Sequence, residues 1–282
     1  MKVGRGPTLT VAIDVPDQEA ALHRIALASL PLRFASVDAD RAADVRIVAG
    51  TPEVWPALAE AAIERKPRAV VIASRALAAQ ADSARLTELA ARAGVVVAVA
   101  TPFAGVRTWR RALGRIRREA RSASLLDSVI TWSGTGEAIT SQALLDHLAV
   151  VCGVVPDISE LQVESASPDH YVVAGMTGRI ATVLSGTRCL SDTPQLQLDL
   201  VGTGRRWRAS FDGTATARPT VVERHSGDQI VRQPMGFESG YRAAWIDVYE
   251  RLTQRVPLPS YLSIDGRQLS LSRRLVASTP MR

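Results

Sequence analysis

The sequence predicts an α/β protein in two parts: a doubly wound parallel sheet, then an α+β domain with a large, mostly antiparallel open sheet. Three observations carry that expectation. Up to residue 121, short apolar runs alternate with stretches of helical periodicity, the pattern of successive βαβ units. From Ile158 onward, strand-like runs punctuated by turn residues dominate instead. Finally, residues 8–38 read as strand, tight turn, helix and second strand, the opening of a dinucleotide-binding domain. The expected domains are 1–121 and 122–282.

The first strand is Thr10–Asp14, an apolar run of the kind a parallel sheet buries on both faces. Asp17–Leu30 follows as a helix, with Pro16 just before it, Asp17 as N-cap, and Ala20, Ala21, Ile25 and Ala28 at near-helical spacing. Leu32–Val37 is the next strand and ends at Asp38. An acidic residue about twenty positions past the turn is where such a Rossmann-like unit grips the ribose of NAD.

The turn itself departs from that pattern. In G-x-G-x-x-G the glycines allow a tight turn, close approach of the backbone to the pyrophosphate, and close packing of the helix. Here the three positions are Val15, Asp17 and Ala20. Ala20 is tolerable, but Val15 adds a β-branched side chain, and Asp17, with Asp14 and Glu19 nearby, brings carboxylates to the phosphate position. Carboxylates suit a helix N-terminus but repel a bound pyrophosphate. The loop chemistry therefore argues against dinucleotide binding in the usual mode.

The strand–helix alternation continues through Val45–Ala49, the exit Gly50-Thr51-Pro52, a helix over Glu53–Arg65, a strand at Ala69–Ala73, a helix over Ala76–Ala93 capped by Gly94, and a strand at Val95–Ala100. Residues 107–121 then hold seven arginines and one glutamate, a net of +6 that equals the charge of the whole chain. A nucleic-acid surface would want stacking aromatics beside the arginines, and Trp109 is the sole aromatic there. The expectation is a solvated helix face, with Leu113 and Ile116 turned inward and no nucleic-acid partner.

Past residue 122, Leu125–Trp132 reads as a strand and Glu137–Val151 as a helix. Strands are expected at Leu161–Ser165, His170–Ala174, Arg179–Leu184, Gln195–Val201, Trp207–Phe211, Thr220–Arg224 and Gln229–Arg232, and helices at Tyr241–Arg255 and Arg267–Ala277. Hydrophobic residues at 46% and charged residues at 22% fit a globular protein. No apolar stretch reaches the roughly 18 residues of a membrane span, and MKVGRGPTL has no signal-peptide core, so a cytoplasmic location is expected. Cys152 and Cys189 lack metal-site spacing and read as reduced thiols; no metal is expected.

The order of these elements resembles the glucose–fructose oxidoreductase/inositol dehydrogenase (Gfo/Idh/MocA) family over nearly the whole chain. His23, Asp38, Thr51-Pro52, Ala143-Leu144-Leu145-Asp146 running to Gly153, Gly202-Thr203-Gly204, Tyr241 to Trp245, Pro257-Leu258-Pro259 and Ile264-Asp265-Gly266 carry the likeness. The resemblance implies an NAD(P)-dependent oxidoreductase with a Glu-Lys-Pro motif and an Asp-x-x-x-His pair on a helix. Here the first motif falls at Ala73-Ser74-Arg75 and the second pair at Ile139 and Ala143. The only lysines are Lys2 and Lys66, and arginine stays protonated near neutrality, so it does not replace a proton-transferring lysine.

Two function classes stay open. The first is a divergent, dehydrogenase-inactive member acting as a partner subunit or binding module, with no cofactor. The second is an active enzyme, either NAD(P)-dependent, with Asp38, Thr51 and Pro52 as cofactor candidates, or cofactor-free, with His147 as general base beside Asp146, acting on a sugar-like or small biosynthetic substrate. His170, Tyr171, Arg179 and Trp132 are further candidates for lining a cleft, and His225 is expected to face solvent from a hairpin. A dimer, homo- or hetero-oligomeric, is expected through the open sheet, with Leu161, Val163, Val172, Leu196 and Leu198 as its apolar surface.

Overall fold

The computed structural model describes residues 6–15, 17–51, 54–73, 80–134, 137–158, 160–191, 193–258 and 271. Two compact units divide after Thr101, and residues 241–258 belong with the first. The basic helix thus falls in the second unit, so the division comes earlier than the expected residue 121. The expected helix over Arg267–Ala277, apart from Leu271, and the candidate Pro52 lie outside the described residues.

The first unit contains β1 (Leu9–Asp14), α1 (Asp17–Ala28), β2 (Phe34–Val37), β3 (Val45–Val48), α2 (Trp55–Glu64), β4 (Ala69–Ile72), α3 (Gln80–Ala93), β5 (Val96–Val99) and the late helix α6 (Gly240–Gln254). Its five strands are all parallel, in the order β2-β1-β3-β4-β5. Side chains alternate across a strand, so Val45, Ile47, Ala69 and Val71 enter one core with α1 and α6. Val48, Val70 and Ile72 enter a second core with Trp55, Ile63 and Leu86 from α2 and α3. That two-sided burial is why the strands read as unbroken apolar runs.

The described helices form where expected, but α1 buries a different face. In α1, Ala20, His23, Ala26 and Leu27 are buried whereas Ile25 is 46% exposed. In α2, Trp55, Ala59, Ala62 and Ile63 are buried while Val54 and Leu58 face outward. Both sequences offer apolar residues in neighbouring stripes, and the sheet selects one. Gly94 ends α3 at φ 68°, with Val95 N–H donating to the Ala90 carbonyl at 2.9 Å. That six-residue closure is a glycine C-cap.

No helix covers the connection from β2 to β3, and Arg46 takes its place. This β3 residue is 4% exposed. Its guanidinium donates to the carbonyls of Ala39, at 2.8 Å, and Arg41. The arginine fills the uncovered position, and its guanidinium holds the turn by two of its carbonyls.

The second unit contains α4 (Arg107–Ala120), β6 (Ala123–Trp132), α5 (Glu137–Val154), β7 (Gln162–Ser167), β8 (His170–Thr177), β9 (Ile180–Arg188), β10 (Gln195–Gly202), β11 (Arg205–Asp212), β12 (Arg218–Ser226), β13 (Gln229–Arg232) and β14 (Gly236–Glu238). The sheet runs β13-β12-β11-β10-β6-β9-β8-β7, with β14 beside β12. Only β6 and β9 pair in parallel along it. One face carries Leu126, Ile130, Leu196, Leu198, Trp207 and Phe211, all buried, and Trp109 of α4 meets Phe211 edge-on at 5.3 Å. The only acidic residue of α4, Glu119, accepts hydrogen bonds from Trp207 Nε1 (3.0 Å) and Arg224 Nε (2.9 Å).

This alternation corrects the expected docking surface. Leu161, Leu196 and Leu198 are at most 1% exposed and belong to the interior. Val163 and Val172 are half-buried. The outer face carries Asp199, whose carboxylate accepts from Arg206, Arg208 and Gln197, together with Val129 and Met176, both 39% exposed. Period 2 makes every second strand residue apolar, and only the packed helices decide which set is inside.

Candidate functional site

In open parallel sheets, ligands bind beyond the carboxyl ends of the strands where the connections diverge. That point here lies between β1 and β3, where Asp14 pairs with Val48. Two sequence candidates follow the strands next to it. Asp38 follows β2, its side chain 81% exposed and 3.7 Å from Arg41 Nε. Thr51 follows β3 with its side chain exposed. Its carbonyl accepts from the N–H groups of Val54 and Trp55, both at 3.0 Å, so Thr51 shapes the start of α2.

The turn after β1 does not fit a pyrophosphate. Val15 is half-buried and packs its branched side chain against the core shared with α6. Glu19, in the first turn of α1, has Oε2 buried without a hydrogen-bond partner, and burial raises its pKa. A phosphate placed there would meet a desolvated carboxyl, and ionising that group would add repulsion. His23, one turn further along, is 1% exposed. Its Nδ1 accepts from Trp245 Nε1 at 3.1 Å, and burial lowers its pKa to about 4. This histidine is neutral and ties α1 to α6.

In the second unit, His147 is fully buried. It bridges Tyr171 Oη, 2.9 Å from Nδ1, and Ser128 Oγ, 2.7 Å from Nε2. Ser128 spends its single proton on the Gln197 carbonyl at 2.7 Å. Its oxygen must therefore accept from His147 Nε2–H, which leaves Nδ1 to accept from Tyr171. The phenol holds its proton, because burial and then the Asp146 carboxylate raise its pKa well above the ordinary value. Burial lowers the His147 pKa to about 3. Every polar atom of the neutral ring is used, with its tautomer fixed.

Asp146 is 8% exposed and points elsewhere, its Oδ2 accepting from Gln142 Nε2 at 2.9 Å. The two candidates are adjacent in sequence but do not hydrogen-bond as an acid–base pair. Trp132 stacks on Tyr171 with centroids 5.8 Å apart and planes at 13°. Ile139 is 38% exposed and Ala143 is buried. The same Asp-x-x-x-His spacing can also be counted from Asp146, and it then ends on the buried Val150. In neither register does a histidine take the second place.

The other candidates are dispersed. His170 is exposed and bonded to Ser165 and Ser167. His225 is half-buried, with Nε2 3.2 Å from Glu223, not simply solvent-facing. Tyr171 and Trp132 are buried, and Arg179 is exposed. Of the Ala73-Ser74-Arg75 positions only Ala73 is among the described residues. Among the described residues no cluster of His, Cys, Asp or Glu could hold a metal ion, and no helix is long and apolar enough to cross a membrane.

Sequence comparison finds no matching family model and no matching curated protein. Solved structures do match, over almost the entire chain. An oxidoreductase from Sinorhizobium meliloti has a TM-score of 0.75 at 14% identity, covering 96% of this chain and 97% of its own. A 3-ketoreductase from Actinomadura kijaniata, solved with TDP-benzene and NADP, has a TM-score of 0.72 at 12% identity, covering 97% and 98%. The UDP-N-acetylglucosamine 3-dehydrogenase of Acidithiobacillus ferrooxidans has a TM-score of 0.61 at 12% identity, covering 96% of each chain. The fold is that of these oxidoreductases. Tyr171, a sequence candidate, does reach His147, whereas Ser128 and the main-chain carbonyl of Gln197 gave no sequence signal, because nothing local brings three separate strands to one helix.

Proposed function

We propose that this chain is a divergent member of the Gfo/Idh/MocA oxidoreductases that has lost dehydrogenase chemistry and works as a partner subunit or binding module. The state of His147 carries this reading. A general base near neutrality needs a pKa close to the working pH and reach to a substrate proton. The one histidine on α5 has neither, since it is buried, fully bonded and held neutral. The turn after β1 supports the same conclusion, with Val15 packed inward and Glu19 bearing an unpartnered carboxyl oxygen. Half-buried Cys152 and Cys189, neither in a disulfide, suit a reducing cytoplasmic setting. Dimerisation is proposed through the outer face of the large sheet, by way of Val129 and Met176.

A second reading, NAD(P)-dependent oxidation or reduction of a sugar-like substrate, draws on the NADP held by the Actinomadura 3-ketoreductase. It draws also on Asp38 with Arg41 beside it, at the strand end where a ribose is gripped. Calorimetric titration with NADH and NADPH separates the two. No binding at millimolar cofactor is expected, with affinity appearing in a Val15→Gly/Asp17→Gly variant if the turn is the obstacle. Micromolar binding by the unaltered protein would establish the second reading in place of the first.

A further inference from the structure

We propose that α4 and the adjoining strand β14 form a docking surface for an acidic amphipathic helix of a partner protein. The inference lies within the second unit and stands whether or not the chain turns over a substrate. The buried face of α4 carries Thr108, Trp109, Ala112, Ile116 and Ala120. On the opposite face Arg111, Arg115, Arg118 and Arg121 are all exposed. Other arginines of the helix are engaged: Arg107 pairs with Glu238 at 3.3 Å, and Arg117 donates to the Gly153 carbonyl at 2.5 Å. Glu119 faces inward to Trp207 and Arg224, so it does not offset the outer stripe.

Like charges three and four residues apart weaken a helix. Gly114 adds to that cost, because glycine is a poor helix former. Nothing local requires it: a Cβ there would meet only Arg118 Nη1, at 3.9 Å. What the glycine does supply is a notch within the arginine stripe where a second backbone can approach.

The apolar half of the surface lies at the start of the helix. Gly236 packs on Thr108 and Glu238 binds Arg107. Phe237 lies between them, and strand alternation turns it the other way. It is 67% exposed, with Met235 61% exposed two residues before it. An exposed Phe and Met, on and just before the strand that packs against an arginine-bearing helix, are residue types enriched at protein interfaces. Trp109, the aromatic that could have stacked a base, is 1% exposed, which disfavours single-stranded nucleic acid.

Arginines at positions i, i+4, i+7 and i+10 repeat with the pitch of an α-helix over about 15 Å. A partner helix with carboxylates at the same spacing matches them one for one, and guanidinium forks pair carboxylates in two-pronged fashion.

The test uses the full chain and fluorescence anisotropy with three labelled probes: a synthetic helical peptide with Glu at i, i+4 and i+7 and Leu on its adjoining face, a 20-nucleotide single strand, and a 20-base-pair duplex. The peptide should bind more tightly than either nucleic acid. Binding should weaken at least about tenfold in Arg111→Glu/Arg118→Glu, as expected on reversing two complementary charges. Phe237→Ala should weaken it too, and that loss should persist at high salt, where charge pairing is screened. Circular dichroism checks that each variant is folded, and Arg111→Gln/Arg118→Gln replaces the reversal if it is not. Absence of peptide binding, peptide binding unchanged by both variants, or tighter binding of either nucleic acid would overturn the proposal.

Discussion

Acidification should destabilise this protein through His147, by an amount the structure sets. In the folded chain the ring is neutral, donating to Ser128 and accepting from Tyr171, with its pKa lowered to about 3 by burial. In the unfolded chain a histidine titrates near 6.5. Between those values the unfolded state binds the extra proton, so stability rises with pH and is lost as pH falls below about 6.5. At pH 5 the gap to the unfolded pKa is about 1.5 units, which corresponds to about 2 kcal/mol at 1.36 kcal/mol per unit. The loss levels off only near pH 3. His23, lowered to about 4 by the same cause, adds a similar slope in the other unit.

The assay is urea unfolding of the unaltered protein and of His147→Gln at pH 7.5 and pH 5, alongside NMR titration of the histidine ring protons. Glutamine lacks the titration, so the advantage of the unaltered protein over the variant should shrink by about 2 kcal/mol at the lower pH. A pH-independent difference, or a His147 ring titrating near 6.5, would refute the assignment of this residue to a closed core.

Two further predictions concern packing. Arg46→Ala should cost about 2–3 kcal/mol in unfolding experiments, because it strips the Ala39 and Arg41 carbonyls of a charged donor and leaves a void beside β3; a change below 0.5 kcal/mol would mean the turn does not depend on it. Gly186→Ala should cost about 3 kcal/mol or more, since a Cβ there would press into the Tyr171 ring and lie 2.8 Å from Trp132, and both rings are locked by stacking and by the bond to His147. An unchanged melting temperature would show that those rings can move.

On the outer sheet face, light scattering at micromolar concentration should report a dimer that Val129→Asp/Met176→Asp disrupts. A monomeric mass for the unaltered protein would count against that face.

The sequence by itself determined the class of both sheets and the order of most of their strands and helices. Buried parallel strands must be apolar on both sides, and turns must carry residues that tolerate them, so Val45–Val48, Ala69–Ile72 and Gly94 were legible one at a time. It also determined what the β1–α1 turn lacks, because Val15 stands in the chain whatever surrounds it. Tertiary structure decided the rest. Which stripe of α1 is buried, and which side of β10 faces the helices, depended on partners distant in sequence: Ile25 and Leu198 are equally apolar, yet one is exposed and the other enclosed. The surroundings of His147 arose in the same way. Its environment comes from Ser128 on β6, Tyr171 on β8 and Gln197 on β10, brought to α5 by the sheet. Desolvation and hydrogen bonding, which set whether a histidine is a base or a core residue, belong to that assembled neighbourhood and not to the residue.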